Sequence, residues 1–289
     1  MAAVMGLGAW FFLNPERQAE AIEAALARGD SVVLIGKTGA PRWFHWRKGE
    51  ESSKVRLNED GTFHVETLWK ALVELVRDPK QMSFKFRAEV RHERGHAPCW
   101  VGLFVLHQEQ TTSRGRVHFF GGLGFDDVTD PIEQDKIQRD AGRVPPNHHS
   151  TDPVAHFRSF FVPAPRQDED STIASGGLES RSFHPAGTSK ADWRKLEVYV
   201  TPGGVRPTWE GKKLGHFTAG RFVEDGQFTA GQFVADAELA RATQRVLQPD
   251  DYATEVQPSY FVRGSLGLCL VGGAASFRNV VIEPSTDPH

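Results

Sequence analysis

The sequence predicts an all-β fold of two packed antiparallel sheets with a short N-terminal helix, and three observations predict it. Residues 82–91 alternate strictly, with Phe84, Phe86, Ala88 and Val90 set against Lys85, Arg87, Glu89 and Arg91, as a strand with one buried and one wet face requires. Residues 99–106, CWVGLFVL, are apolar at nearly every position, which fits a strand covered on both faces. From about residue 31, runs rich in Val, Phe and Leu are separated by clusters of Gly, Pro, Asp and Asn, the punctuation of a β domain. The 289 residues, 39% hydrophobic and 25% charged, can bury one substantial core, and they exclude a wholly disordered, collagenous or polytopic membrane chain.

Taken in order, residues 2–13 form a continuous apolar run, too short for a full membrane span. It fits the end of a membrane anchor as well as it fits a short helix packed on its own domain or on a partner. Asn14 and Pro15 then make an N-cap and first-turn pair and Gly29 follows Arg28, so residues 15–28 read as an alanine-rich connector helix. A second helix is expected over residues 67–77, where Leu68, Ala71, Leu72, Leu75 and Val76 fall at helical spacing before Asp78-Pro79. Residues 129–190, rich in Pro, Ser, Asp and His, read as a long irregular excursion with one short strand at 157–162. Residues 193–200 alternate again through Leu196, Val198 and Val200. TAGRFVED at 218–225 and TAGQFVAD at 229–236 are two copies of one unit, too few for a solenoid and suited to a local duplication in a loop or hairpin. Residues 264–271 and 274–282 read as two strands joined by a tight turn at Gly272-Gly273.

Charge and motifs narrow the function. The 34 Lys+Arg are scattered among 37 Asp+Glu, for a net charge of -3, so no electrostatic footprint for nucleic acid is present. Only two cysteines occur, Cys99 and Cys269, which argues against a disulfide framework or a zinc ribbon. His92-Glu93-Arg94-Gly95-His96 matches H-E-x-x-H, but that motif grips zinc only on a helix. Between two strand patterns and beside Pro98, it is expected to form a hairpin turn. VVLIGKTG at 32–39 lacks the first glycine of a phosphate loop, Ser31 standing there. His148-His149 in a polar loop suits exposed side chains.

Glycoside cleavage needs two carboxyl groups at a fixed separation. The Glu-x-Asp-x-x-Glu pattern of jelly-roll glucanases is absent, as is a G-x-S-x-G elbow; Glu89 and Glu93 stand four apart near a strand end. Asp126, Asp127 and Asp130, after GGLGF, are the candidate oxygen ligands for calcium. Among the seven tryptophans, Trp43, Trp46 and Trp209 lie beside Arg, His or Glu, so Trp43, Trp46, Arg47, Trp209 and Glu210 form the candidate ligand-binding set. A tryptophan offers a flat face to a sugar ring and its neighbours offer hydrogen bonds to hydroxyls.

The stretches PRWFHWRKG, FKFRAEVRHERG, WVGLFVLHQE and WRKLEVYVTPGGVRPTWEG, with the ending GSLGLCLVGGAASFRNVVIEP, together resemble the concanavalin A-like lectin/glucanase superfamily over about residues 31–284. More narrowly they are similar to the planctomycete version, which often follows a Ser/Thr kinase domain and a membrane span, and to 3-keto-disaccharide hydrolase-like domains. The glycine turn followed by S-F-R-N-V-x-I is the most specific part. The resemblance implies a jelly-roll sandwich that binds carbohydrate or protein and in some members hydrolyses glycosides. Kinase motifs and the acidic clusters of the enzymatic members are absent, so catalysis is not carried over. The organisation expected is an apolar segment and connector helix at 1–30, the sandwich at 31–284 and a tail at 285–289. The expected function is a non-catalytic binding module, membrane-associated or extracytoplasmic, with a cytoplasmic location left open. An accessory subunit docked through residues 2–13 and a glycoside hydrolase using Glu89, Glu93, Asp126 and Asp127 are the alternatives.

Overall fold

Pro15–Ala27 form helix α1, and its end follows from Gly29. With φ at 82°, Gly29 takes the left-handed conformation that costs a glycine little. Its N–H then donates to the Leu26 carbonyl at 3.0 Å and the Asp30 N–H to that of Ala25 at 2.9 Å, the paired closure of a Schellman motif. Ile22 and Leu26, one turn apart, are buried in the main core. The computed structural model describes residues 15–35, 42–45, 53–126, 154–162, 180–183, 193–218, 221–224, 227–231, 255 and 263–285.

The other elements of the described residues are strands: β1 Val32–Val33, β2 Arg42–His45, β3 Lys54–Leu57, β4 Phe63–Val76, β5 Phe84–Thr112, β6 Gly115–Asp126, β7 Val154–Val162 and β8 Ser180–Phe183. These are followed by β9 Arg194–Thr201, β10 Gly204–Trp209, β11 Lys212–Lys213, β12 His216–Thr218, β13 Arg221–Glu224, β14 Gln227–Gly231 and β15 Ser265–Pro284. Every pairing is antiparallel. Three long strands, β4, β15 and β5, lie side by side and run through both halves of the structure. One half of them continues into β2 on one side and β6, β7 and β8 on the other, making the first sheet. The other half continues into β3 and into β9, β10, β12, β13 and β14, making the second. The two halves meet where all three strands lose register together, between Val271 and Gly273 in β15, Lys70 and Thr67 in β4, and Trp100 and Gly95 in β5.

Inward-facing side chains of both halves form one core, including Val101, Leu103, Leu123 and Phe125 of the first sheet and Phe84, Phe86, Leu196 and Phe277 of the second. Phe125 of β6 meets Trp209 of β10 edge-on at 5.1 Å across it. The described residues thus form the all-β, two-layer antiparallel sandwich behind a short N-terminal helix that the sequence predicts.

Three local expectations are corrected. Residues 67–77 are not helical: they complete β4, flanked by β2 and β15. Residues 71–76 are buried on both faces, and a strand with no wet face carries no alternation to distinguish it from a helix. The H-E-x-x-H segment does not reverse the chain either. β5 runs straight through it, with residues 96–99 as an insertion opposite Gly272, and strand alternation leaves His92 buried and Glu93 exposed. Nor does Gly272-Gly273 make a hairpin. At φ of 59° and 149° the pair bends a continuous β15, whose two halves pair with the two sheets, as a glycine bulge allows.

Other expectations hold. The strand foreseen at 157–162 is β7, begun at Val154. The first repeat copy runs from β12 into β13 and the second begins in β14, and β13 pairs with β14 as a hairpin; residues 232–236 lie outside the described residues.

The outer face of the first sheet carries a second apolar layer of Leu72, Trp100, Phe104, Phe120, Phe160 and Cys269. Glycines are its floor. A Cβ on Gly122 would stand 2.6 Å from the Trp100 ring and 2.8 Å from Phe160, and one on Gly124 2.5 Å from Trp100, so only glycine lets these rings lie against the sheet. At the layer's end a bulge in β5, with Leu106 at φ 61°, turns His107 onto this face. There it shares a hydrogen bond with Ser265 Oγ at 2.8 Å and stacks on His118, their ring nitrogens 3.0 Å apart.

Candidate binding face

The outer face of the second sheet is built by the alternation seen in the sequence. Lys85, Arg87, Glu89 and Arg91 project outward from β5 because Phe84, Phe86, Ala88 and Val90 occupy the core. β9 does the same with Lys195, Glu197 and Tyr199, and register sets these against their neighbours: Glu89 opposite Lys195, Arg87 opposite Glu197, and Lys85 opposite Tyr199. β15 adds Ser276, Arg278 and Glu283 opposite Arg91, Glu89 and Lys85, and β10 adds Arg206 opposite Tyr199. Opposite charges facing each other across strands support the pairing of the sheet.

Two half-buried aromatic rings stand on this grid. The guanidinium carbons of Arg91 and Arg278 lie 4.8 and 4.2 Å from the centroid of Trp193. Around Tyr199 the Lys85 ammonium lies at 5.6 Å and the Arg206 guanidinium at 4.8 Å. Such distances are those of cation–π attraction.

The sequence order FRN explains how Arg278 arrives. Phe277 and Val280 both point into the core, and a bulge between Arg278 and Val281, with Asn279 at φ 50°, leaves the two residues between them to face outward. Both grip one carboxylate. Arg278 Nε donates to Glu89 Oε2 at 2.6 Å and Asn279 Nδ2 to Oε1 at 2.9 Å. Burial alone would raise the Glu89 pKa, but the Asn279 amide and the Arg278 guanidinium outweigh it and hold the carboxyl below its usual value. Glu93 is held down in the same way. Burial opposes, while Ser276 Oγ and Arg91 Nη2 donate to Glu93 Oε1, the latter at 3.0 Å, and His64 Nδ1 lies 3.3 Å from Oε2. Two carboxylates stabilised as anions are hydrogen-bond acceptors near neutral pH rather than proton donors.

The residues expected to bind ligand are dispersed. Trp209 is 2% exposed and packs on Phe125 in the core, so it offers no face to a ligand, which is a correction. Glu210, exposed in the turn after β10, clamps that turn to β9: its N–H donates to the Lys195 carbonyl at 2.9 Å and its Oε1 accepts from the Lys195 N–H at 3.0 Å. Trp43 sits on β2 in register with Val73; its side chain, Trp46 and Arg47 lie outside the described residues. Asp126 ends β6 opposite Val154, and its side chain, Asp127 and Asp130 are likewise outside them. Among the described residues no group of three or more His, Cys, Asp and Glu could hold a metal ion. Trp193, Arg91, Arg278, Asn279 and Tyr199 are not in the ligand-binding set that the sequence suggests. Their signal was the outward half of the alternation on β5 and β9 and the two consecutive polar residues in FRN.

No family model matches the chain, and no curated protein matches it. Several solved structures are similar. A putative glycosyl hydrolase from Parabacteroides distasonis is 15% identical, covering 91% of this chain and 97% of that one with a TM-score of 0.40. A Bacteroides ovatus family 16 glycoside hydrolase of a mixed-linkage glucan locus, in complex with its product, is 6% identical over 80% and 84% of the two chains with a TM-score of 0.38. A Bacillus subtilis protein of unknown function with a galectin-like fold is 8% identical over 85% and 96%, with a TM-score of 0.34. At these TM-scores the likeness does not extend to a ligand.

Proposed function

We propose that this chain is a non-catalytic binding module that recognises carbohydrate through the outer face of its second sheet. The observation that carries the reading is Trp193 beside the Arg91 and Arg278 guanidinium groups, with Glu89 accepting from Arg278 and Asn279 on the same face. A pyranose presents a C–H face to an aromatic ring and pairs of hydroxyls to planar carboxylate, carboxamide and guanidinium groups. Glycoside hydrolysis through Glu89 and Glu93 is not favoured, because both are held as ion-paired anions; the other two acids considered for it, Asp126 by its side chain and Asp127 entirely, lie outside the described residues. Display at a membrane or outside the cytoplasm through residues 2–13, and calcium at Asp126, Asp127 and Asp130, belong to the proposal. No helix among the described residues is long and apolar enough to cross a membrane.

The test is a glycan-array screen of the full chain, with calcium and again with chelator, beside the Trp193→Ala variant. Saccharide binding lost in the variant supports the reading, and chelator sensitivity supports calcium. A folded chain that binds no saccharide overturns it and favours an accessory subunit docked through residues 2–13, checked by removing those residues and measuring association.

A further inference from the structure

Resting on the carbohydrate reading, we infer that the ligand is an acidic glycan whose sugar carboxylate is held by Arg278 and Arg91 above Trp193. Two guanidinium groups from neighbouring strands converge on one indole, and each is only partly used. Among the described residues Arg278 donates through Nε alone, and Arg91 through Nη2 alone. The paired Nη groups of Arg278 therefore meet no acceptor among the described residues, on a side chain that is 43% exposed. A guanidinium fork matches the two oxygens of a carboxylate in one plane, which neither a hydroxyl nor a single carbonyl can do.

The charge of the face points the same way. Lys85, Arg87, Arg91, Lys195, Arg206 and Arg278 are six cations against the four carboxylates of Glu89, Glu93, Glu197 and Glu283, in a chain whose overall charge is -3. The excess of two positive charges lies toward Tyr199, because Arg91 and Arg278 beside Trp193 are matched by Glu93 and Glu89, and it raises the local concentration of an anionic polymer at this face. Glu89, itself held by the Asn279 amide, fixes the Arg278 guanidinium through Nε.

Binding of the full chain to polygalacturonate, to a neutral glucan and to poly-L-glutamate is compared at low and high salt by calorimetry, for the native chain and for Arg278→Gln and Arg91→Gln. The expected result is binding to polygalacturonate that weakens with salt and falls about tenfold in each variant, with little binding to the other two polymers. Equal binding of the neutral glucan, unchanged in the variants, overturns the acidic ligand and leaves the carbohydrate reading standing. Binding of neither saccharide by folded protein overturns both. Poly-L-glutamate bound as tightly as polygalacturonate also overturns the inference, because the face then selects charge and not sugar. If Arg278→Gln melts early, the Arg91→Gln variant and the salt dependence of the native chain decide alone.

Discussion

Asn279 and Glu89 are joined across neighbouring strands because Asn279 adopts a left-handed backbone, φ 50°, that few other side chains tolerate. The bulge so formed places Arg278 on the second oxygen of the same carboxylate. One acid therefore holds both outward residues of the FRN sequence and fixes the guanidinium that overlies Trp193.

Replacing Asn279 separates backbone strain from the hydrogen bond. Asn279→Gly loses only the amide, whereas Asn279→Ala also carries the cost of a Cβ at positive φ, and is expected to be less stable than the glycine variant by about 1 kcal/mol. Urea denaturation of the two proteins measures the difference; equal midpoints would show that the bulge relaxes without strain.

Glu89 makes the fold acid-sensitive in a defined direction. Its folded pKa lies below the ordinary glutamate value, so its stabilisation is complete above that ordinary value and is lost as the pH falls through the lower folded one. Glu89→Gln is expected to lose less stability than the native chain between pH 6 and about pH 3. Parallel denaturation curves at each pH test this, and identical slopes would refute it.

Trp209 is a packing residue. Trp209→Ala is expected to destabilise by about 3–5 kcal/mol, as removal of a buried aromatic side chain does, while Trp209→Phe keeps ligand affinity. Loss of affinity in a folded Trp209→Phe protein would return this ring to the binding set.

Gly102 sits where β5 and β6 approach most closely. A Cβ there would stand 2.0 Å from the Leu123 carbonyl oxygen, a backbone atom that cannot swing aside. Gly102→Ala is expected to cost about 3 kcal/mol, read as a lowered melting temperature, whereas Gly61→Ala, whose Cβ meets nothing within 4 Å but whose φ is 81°, costs only about 1 kcal/mol.

The sequence exposed those parts of the fold where one face is wet. Residues 84–91 and 194–200 alternate because their outer side chains meet solvent or one another as ions, so their period can be read. β4 could not be read at 71–76, since both its faces are buried, and the same apolar residues satisfy a helical spacing. The bends of β5 and β15 were mistaken for turns because glycine at positive φ serves bulge and hairpin alike. At the candidate site, Glu89 stands out in the sequence only as a possible glycosidase acid four residues from Glu93, and the Arg278 and Asn279 that grip it come from β15. Trp209 was misassigned for the converse reason: polar Glu210 beside it belongs to the turn, and sequence adjacency does not tell which way a strand-end ring faces.

The shared bend of β4, β5 and β15 also governs how the molecule can be assembled during synthesis. β15 lies between β4 and β5 in both halves, yet nine described strands, β6 to β14, leave the ribosome after β5 and before it. Until β15 emerges, β4 and β5 each present an unpaired edge to the cytosol or to the translocation machinery. Long-range pairing of this kind closes slowly and exposes apolar strands meanwhile. The nascent chain is thus expected to occupy a holding chaperone until the FRN segment is released, and a stall placed just before residue 265 would leave both neighbouring strands open to aggregation.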